Sequence, residues 1–175
     1  MESKIKTREE LIKIVQDLKN QGQKIVTTNG AFDILHLGHI KSFERAKEYG
    51  DVLIVGVNTD ESVRRYKGPK RPVNQEHDRA YMVASLEVVD YITLFTEDTP
   101  VELLEALKPD FHAKAADYDV LKMPETATVI KNGGQVVAVP LEAGYATTDL
   151  ISLILERFGD GDYAKPKTGE HELGK

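Results

Sequence analysis

The stretch that decides the fold is IVTTNGAFDILHLGHIKSFERAKEYG, residues 25–50. It begins with a short β-branched run of strand length over residues 25–28, turns at Asn29-Gly30 and continues as a helical pattern from about Leu37 to Tyr49. A continuous apolar run over residues 52–57 follows, as expected of a strand that is buried on both faces. The order of strand, turn, helix and buried strand predicts the first βαβ unit of a parallel sheet.

The rest of the chain repeats this alternation of strands and helices. Further strands are predicted at residues 91–95, 111–114 and 135–141, and further helices at residues 76–86, 99–107, 124–131 and 147–158. Thr99 is the expected N-cap of the second of these helices, and residues 58–74 are expected to form a polar loop. The predicted fold class is α/β, a single Rossmann-like doubly wound domain with a five-stranded parallel sheet, which binds its ligand beyond the carboxyl ends of the strands.

The two ends of the chain lie outside this alternation. Thr7 and Glu10 are spaced as a capping box in front of an apolar helical repeat, so residues 1–22 are predicted to form an N-terminal helix that packs on the domain. The α/β domain itself is expected over residues 23–158. Residues 159–175 carry Gly, Pro and both signs of charge with almost nothing apolar, and we expect a disordered tail there.

The composition excludes several classes of function. The 175 residues carry a net charge of −6, which argues against a broad nucleic-acid-binding surface. The chain has no cysteine, which excludes disulfide scaffolds, thiolate zinc sites and cysteine nucleophiles. No apolar run approaches the roughly 18 residues of a membrane span, and the N-terminus lacks the apolar core of a signal peptide. We therefore expect a cytoplasmic protein without membrane contact.

Two histidines, His36 and His39, stand where the first strand passes into its helix, with Gly38 between them. At this spacing both imidazoles can face one side of the first helical turn, which also presents backbone N–H groups and the positive end of the helix dipole. Gly38 would let a phosphate or a nucleobase lie against the backbone. The motif predicts an anion pocket. Its alternatives are ordinary helix histidines, one of them in the core, and a zinc site, for which no further ligands are visible at suitable spacing.

A cluster of five cations over residues 64–71 is the second signal. Gly68 and Pro69 favour a shaped loop that reaches the strand-end cleft, whereas the plainer interpretation is a solvated basic face. A lysine ammonium in this loop would neutralise charge on a polyphosphate. Arg79, at the start of the next helix, either binds a phosphate or forms a structural ion pair with a neighbouring carboxylate.

Two later loops complete the predicted site. The loop after the fourth strand reads Lys-Ala-Ala-Asp-Tyr over residues 114–118, and the loop after the fifth strand ends in Thr147-Thr148 at a helix start. The two hydroxyl groups can cap that helix or hold a phosphate there, and the position after the last strand favours the phosphate.

The stretch from Gly30 to His39 resembles the His-x-Gly-His signature of the nucleotidyltransferase superfamily. Residues 25–158 as a whole resemble the heptose 1-phosphate adenylyltransferase family. The features that carry this resemblance are residues 29–39, the strand end at 55–60, the basic segment 64–72, Asp78-Arg79, residues 114–118 and residues 144–148. Ala115 and Ala116 depart from the family, which usually has glycine after this lysine.

The resemblance implies transfer of an adenylyl group from ATP to a heptose 1-phosphate, with release of pyrophosphate. His36 and His39 would contact α/β-phosphate oxygens, and Lys67 would offset charge on the triphosphate and the leaving pyrophosphate. The remaining nucleotide-binding residues would be Asn29, Gly30, Ala31, Phe32, Gly38, Arg79, Thr147 and Thr148, and the sugar-side or adenosine-side residues would be Asp33, Asp60, Lys114, Asp117 and Tyr118. Mg²⁺ would be carried by the nucleotide, without a metal site on the protein.

The resemblance also implies partners and a competing function. A homodimer and a separate sugar kinase upstream in the pathway are expected. The alternative is a glycerol-3-phosphate cytidylyltransferase-like enzyme that uses CTP and a small polyol phosphate. That group has an arginine where this chain has Leu141 and tends to have a tryptophan after the fourth-strand acid, whereas this chain has no tryptophan. A nucleotide-binding sensor or catalytically silent partner subunit is the non-enzymatic alternative.

Overall fold

The computed structural model describes residues 1–116, 122–142 and 144–159. Within them a parallel sheet of five strands is present, as predicted. The strands are β1 (Ile25–Gly30), β2 (Val52–Asn58), β3 (Tyr91–Phe95), β4 (Phe111–Ala115) and β5 (Gln135–Val139). The α-helices are α1 (Arg8–Asn20), α2 (Leu37–Lys47), α3 (Asp60–Lys67), α4 (Glu76–Ala84), α5 (Val101–Leu107), α6 (Pro124–Lys131) and α7 (Thr147–Phe158).

The strand order β3-β2-β1-β4-β5 places β1 in the middle of the sheet. From β1 the chain steps outward through β2 to β3, and it then crosses to the other side for β4 and β5. The direction of winding therefore reverses between β1 and β4. Open α/β sheets bind ligands at this kind of switch point, beyond the carboxyl ends of the strands.

The two faces of the sheet have separate apolar cores because side chains alternate along each strand. Ile25 and Ile54 pack on one face with buried residues of α1 and α5. Val26 and Leu53 pack on the other face with buried residues of α2 and α4. Leu11 and other apolar residues of α1 belong to the first core, so the N-terminal helix packs on the sheet.

Some local predictions are wrong. Helix α3 lies within residues 58–74, which the sequence analysis assigned to a loop; its polar composition concealed it. Its N-cap is Thr59, whose side chain accepts a hydrogen bond from the backbone of Ser62. Thr99 is not the N-cap of α5, because the helix begins one residue later and Pro100 holds that position. Apart from Gly159, the predicted tail lies outside the described residues. No helix in the described ranges is long and apolar enough to cross a membrane.

Candidate active site

A cleft of about 520 Å³ opens at the carboxyl ends of the strands, around the switch point. Its floor is the end of β1 and the loop that follows, residues 28–33. Its sides come from Asn58 at the end of β2, the loops after β3 and β4, and the end of β5. Predicted site residues that line it are Asn29, Gly30, Ala31, Phe32, Asp33, His39, Lys67, Lys114 and Thr147.

The two histidines form a stacked pair. The ring centroids of His36 and His39 are 3.8 Å apart and their planes differ by 22°. His39 lines the cleft, and the ring of Phe32 meets it edge-on at 5.4 Å. Phe32 and Ile34 have φ of 48° and 52°, a conformation that costs energy in residues with a side chain. The strained loop thus places the imidazole pair at the start of α2.

Burial favours the neutral form of both imidazoles in the free protein. Desolvation, with smaller contributions from His36 and Lys67, lowers the pKa of His39 from 6.5 to about 4. Desolvation also lowers the pKa of His36. The Nδ1 atoms of both rings are buried without a hydrogen-bond partner among the described residues. Neutral imidazoles can donate through one nitrogen each, and a phosphate placed against them would favour their protonation.

Thr147 connects the last helix to this loop. Its hydroxyl group donates to the carbonyl oxygen of Asp33 at 3.1 Å and lies 3.4 Å from Nε2 of His36. The N-cap of α7 is Ala146, without a side-chain capping bond, so Thr147 is engaged with the β1–α2 loop rather than with its own helix. Thr148 is exposed and does not line the cleft.

Gly38 has a different role from the predicted one. A Cβ atom at this position would lie 2.9 Å from Cβ and from the carbonyl oxygen of Tyr145. The space that the missing side chain leaves is therefore filled by the loop before α7. Gly38 allows that loop to approach α2, and it is not among the residues that line the cleft.

Asp33 fastens the basic segment to the loop after β1. Its side chain is 0% exposed and accepts from Nε of Arg71 at 2.7 Å and from the backbone N–H groups of Val73 and Asn74 at 2.9 and 3.0 Å. These hydrogen bonds hold the pKa of Asp33 below its usual value despite burial. Asp33 holds the segment that carries Lys67, and both residues line the cleft. The predicted substrate contact of Asp33 stays a prediction.

Arg79 does not face the cleft. It is 0% exposed, and its guanidinium donates to the carbonyl oxygens of Ala31, Asn58 and Asn74 and to the carboxylate of Asp60. The predicted phosphate contact is therefore corrected. Of the two interpretations, the structural one applies, with Asp60 as the partner in place of the adjacent carboxylates. Asp60 does not line the cleft, so its predicted substrate contact is corrected as well.

Lys114 lies at the end of β4 with a partner that the sequence analysis missed. Its Nζ is 3.1 Å from Oε1 of Glu125 and donates to Oδ1 of Asn29 at 3.0 Å. Glu125 stands in the first turn of α6, is 2% exposed and lines the cleft. A glutamate after a proline at a helix start carries no distinctive signal. Asp117 and Tyr118 lie outside the described residues.

The arrangement is suited to binding a polyphosphate. His39 and Lys67 line the same cleft as the hydroxyl-bearing start of α7. Burial lowers the pKa of Lys67, and Asp33 opposes that lowering. Among the described residues no group of three or more His, Asp and Glu side chains could hold a metal ion. What the site offers is positioning and charge stabilisation for phosphate oxygens.

Comparison with known proteins identifies relatives of this chain. The sequence model of the family described as cytidylyltransferase-like matches residues 27–148. The bifunctional protein HldE of Trichlorobacter lovleyi is 45% identical over 159 residues, which are 91% of this chain and 32% of that protein. HldE of a Nitratiruptor species is 59% identical over 114 residues, 65% of this chain and 25% of that protein. The chain spans about a third of the length of the curated relatives it matches.

Solved structures agree with the fold. The lipopolysaccharide core biosynthesis protein from Thermoplasma volcanium matches with a TM-score of 0.57 and 34% identity, over 69% of this chain and 98% of that one. The pantoate-β-alanine ligase from Francisella tularensis, solved with β,γ-ATP and β-alanine, matches with a TM-score of 0.56 over 79% of this chain and 67% of that one. At 19% identity the second likeness concerns the fold alone.

Proposed function

This chain belongs to the cytidylyltransferase-like family of nucleotidyltransferases, and from that premise we propose that it transfers an adenylyl group from ATP to D-glycero-β-D-manno-heptose 1-phosphate. The products are ADP-heptose and pyrophosphate, and the reaction serves lipopolysaccharide precursor synthesis. The observation that carries the proposal is the stacked pair of His36 and His39, of which His39 lines the switch-point cleft together with Lys67.

The chemistry needs no covalent enzyme intermediate, because the acceptor phosphate is already an anionic nucleophile. One oxygen of the acceptor phosphate forms a bond to the α-phosphorus of ATP. The bond between this phosphorus and the oxygen that bridges it to the β-phosphate breaks, and pyrophosphate departs with the electron pair of the broken bond. His39, with His36 stacked on it, donates to α/β-phosphate oxygens, and Lys67 offsets the charge on the leaving pyrophosphate. Thr147 positions His36. We propose that Mg²⁺ arrives with the nucleotide, held by phosphate oxygens and water.

The choice of acceptor rests on the motifs and the relatives together. The HldE relatives and the lipopolysaccharide core biosynthesis protein support a role in lipopolysaccharide synthesis. The resemblance of residues 25–158 to heptose 1-phosphate adenylyltransferases specifies the sugar and the nucleotide. The CTP-dependent alternative is not favoured by these relatives.

A kinase must make the sugar 1-phosphate that this reaction consumes. That it is a separate protein stays a prediction, as does the homodimer.

A substrate matrix tests the proposed function. The purified protein is incubated with each of ATP, CTP, GTP and UTP and Mg²⁺ against heptose 1-phosphate, glucose 1-phosphate and glycerol 3-phosphate, and released pyrophosphate is measured. We expect ATP with heptose 1-phosphate to be the best pair. Faster release from CTP with glycerol 3-phosphate would establish the alternative. A protein that binds ATP without releasing pyrophosphate from any pair would be a sensor or silent subunit.

A further inference from the structure

The loop between β5 and α7, residues 140–146, is fastened to α2 by Arg45. Nη1 of Arg45 donates to the carbonyl oxygen of Pro140 at 2.6 Å, and Nη2 donates to Oε2 of Glu142 at 2.7 Å. A guanidinium group can hold two acceptors at once because its N–H groups form a rigid fork. The proposed chemistry gives Arg45 no part, and Arg45 does not line the cleft.

The same face of α2 meets the loop again two turns earlier. Gly38 and Arg45 are seven residues apart, which is about two turns of an α-helix, so they lie on one face. A Cβ atom on Gly38 would lie 2.9 Å from the backbone oxygen of Tyr145. The loop therefore contacts α2 near both of its ends. Thr147 follows directly, with its hydroxyl group 3.4 Å from Nε2 of His36.

Helix α7 itself contributes little to holding Thr147 in place. The structure describes all twelve residues of this helix, and none of them is buried. A helix that is held by its own packing normally buries an apolar stripe against the domain. The position of Thr147 at the start of α7 therefore depends on the preceding loop and on the contacts of that loop with α2.

We propose that Arg45 is a positioning residue of the active site, which holds residues 140–142 on α2 and thereby keeps the hydroxyl group of Thr147 beside His36. The effect on catalysis rests on the proposed function, whereas the link from Arg45 to the ring of His36 does not. The side chains of Arg45 and Glu142 are 31% and 35% exposed. Ion pairs with this exposure contribute little to the stability of the fold. A purely stabilising role therefore predicts only small effects of removing the pair.

The arrangement predicts which nitrogen of His36 carries the proton. The hydroxyl group of Thr147 has one hydrogen, and it donates this hydrogen to the carbonyl oxygen of Asp33 at 3.1 Å. Towards His36 the hydroxyl group can therefore only accept, so the proton of the neutral ring lies on Nε2. Nδ1, which is buried without a hydrogen-bond partner among the described residues, is then unprotonated.

The first measurement is the ¹⁵N spectrum of the histidine rings at pH 7 in the free protein, with the His36 signals assigned from His36→Gln. We expect the wild type to show His36 protonated on Nε2. Arg45→Met should show a mixture of both neutral forms, because the released loop no longer holds Thr147 against the ring. The matched control is Lys41→Met, since Lys41 forms an exposed ion pair with Glu44 on the same helix. The control should keep the wild-type spectrum.

The second measurement is the turnover of ATP with heptose 1-phosphate. Arg45→Met should lower it about tenfold, because a misplacement of about 1 Å at an active site can cost up to about 100-fold. Glu142→Gln leaves the bond from Arg45 to Pro140 in place and should lower turnover less. Lys41→Met should leave turnover unchanged. Thermal melts show that each variant is folded.

The variant Thr147→Val separates positioning from a merely structural role. It removes the hydroxyl group through which Arg45 acts, so adding Arg45→Met to it should lower turnover by less than about twofold. A structural role would add the same cost in both backgrounds, and that result would overturn the proposal.

The spectrum gives two further results that would overturn the proposal: a wild-type His36 protonated on Nδ1, or an unchanged His36 in Arg45→Met. If no pair of triphosphate and acceptor releases pyrophosphate, the proposed function alone fails. The spectrum of Arg45→Met then still decides whether Arg45 sets the state of His36, because it requires no substrate.

Discussion

The substitution His39→Ala tests the phosphate role of the stacked pair. In the proposed mechanism His39 donates to a phosphate oxygen from a largely buried position. Removing one preorganised donor to a transition-state oxyanion costs about 2.7–4 kcal/mol, or about 10²- to 10³-fold in rate. We expect a fall of this size in the turnover of ATP with heptose 1-phosphate. His77→Ala is the matched control, because His77 is an exposed residue of α4 that does not line the cleft. Its turnover should be unchanged.

In His39→Ala the free energy of unfolding should also depend less on pH than it does in the wild type. A pKa of about 4 in place of 6.5 means that protonating His39 in the folded protein costs about 3 kcal/mol more than in the unfolded chain. The free energy of unfolding of the wild type therefore falls as pH drops from 6.5 towards 4. His39→Ala lacks this contribution, so the difference in stability from the wild type should shrink in acid.

Steady-state kinetics and urea unfolding at pH 7 and pH 5 measure both effects on the same preparations. Turnover within about twofold of the wild type would refute the phosphate role. A stability difference that does not change between pH 7 and pH 5 would refute the buried neutral imidazole. The two results are independent, because one concerns the bound state and the other the free protein.

Three further predictions concern buried polar residues, Asp33, Arg79 and His112. Asp33→Asn weakens the hydrogen bonds that hold the basic segment, so the KM for ATP should rise about tenfold in steady-state assays; an unchanged KM would refute the fastening role. Arg79→Lys should lower the free energy of unfolding by about 3 kcal/mol in urea titrations, because a buried network is broken, while the KM for ATP of the folded protein stays near the wild-type value. Burial lowers the pKa of His112 to about 3, so His112→Gln should flatten the loss of thermal stability below pH 6.5, and an unaltered acid limb would contradict this.

The sheet could be predicted from the sequence because its strands are marked by composition. The run over residues 52–57 is apolar throughout since β2 lies between β3 and β1 in a sheet covered on both faces. Residues 91–95 were predicted with the bounds that the structure shows, because β-branched and aromatic residues stand between polar turns. Helix α3 was missed since five of its eight residues are charged and it buries only Ser62 and Val63.

The cleft could be placed from the sequence, but the contacts of its charged residues could not. Strand ends fix the loops that reach the switch point, and Asn29, His39, Lys67 and Lys114 do line the cleft. The direction in which a carboxylate or guanidinium points depends on tertiary neighbours. Glu125 is the clearest example, because its partner Lys114 lies on a different element and nothing in the local sequence links them.

Residues that support the loop between β1 and α2 lie close to residues that line the cleft. Asp33 and Arg79 are of the supporting kind, and their position close to the cleft explains why the sequence analysis interpreted them as ligand contacts. The loop has two residues with positive φ, on either side of Asp33, and such strain persists only where the surroundings enforce it. Asp33 stands between those two residues, and its buried carboxylate accepts three hydrogen bonds from the segment 71–74. Arg79 donates to the carbonyl oxygen of Ala31, which immediately precedes them. A charged side chain that holds a strained loop and a charged side chain that binds phosphate both stand among other polar residues. The sequence pattern is therefore similar for the two roles. What separates the two is exposure: Asp33 and Arg79 are buried among their hydrogen-bond partners, whereas His39 and Lys67 are partly exposed and line the cleft.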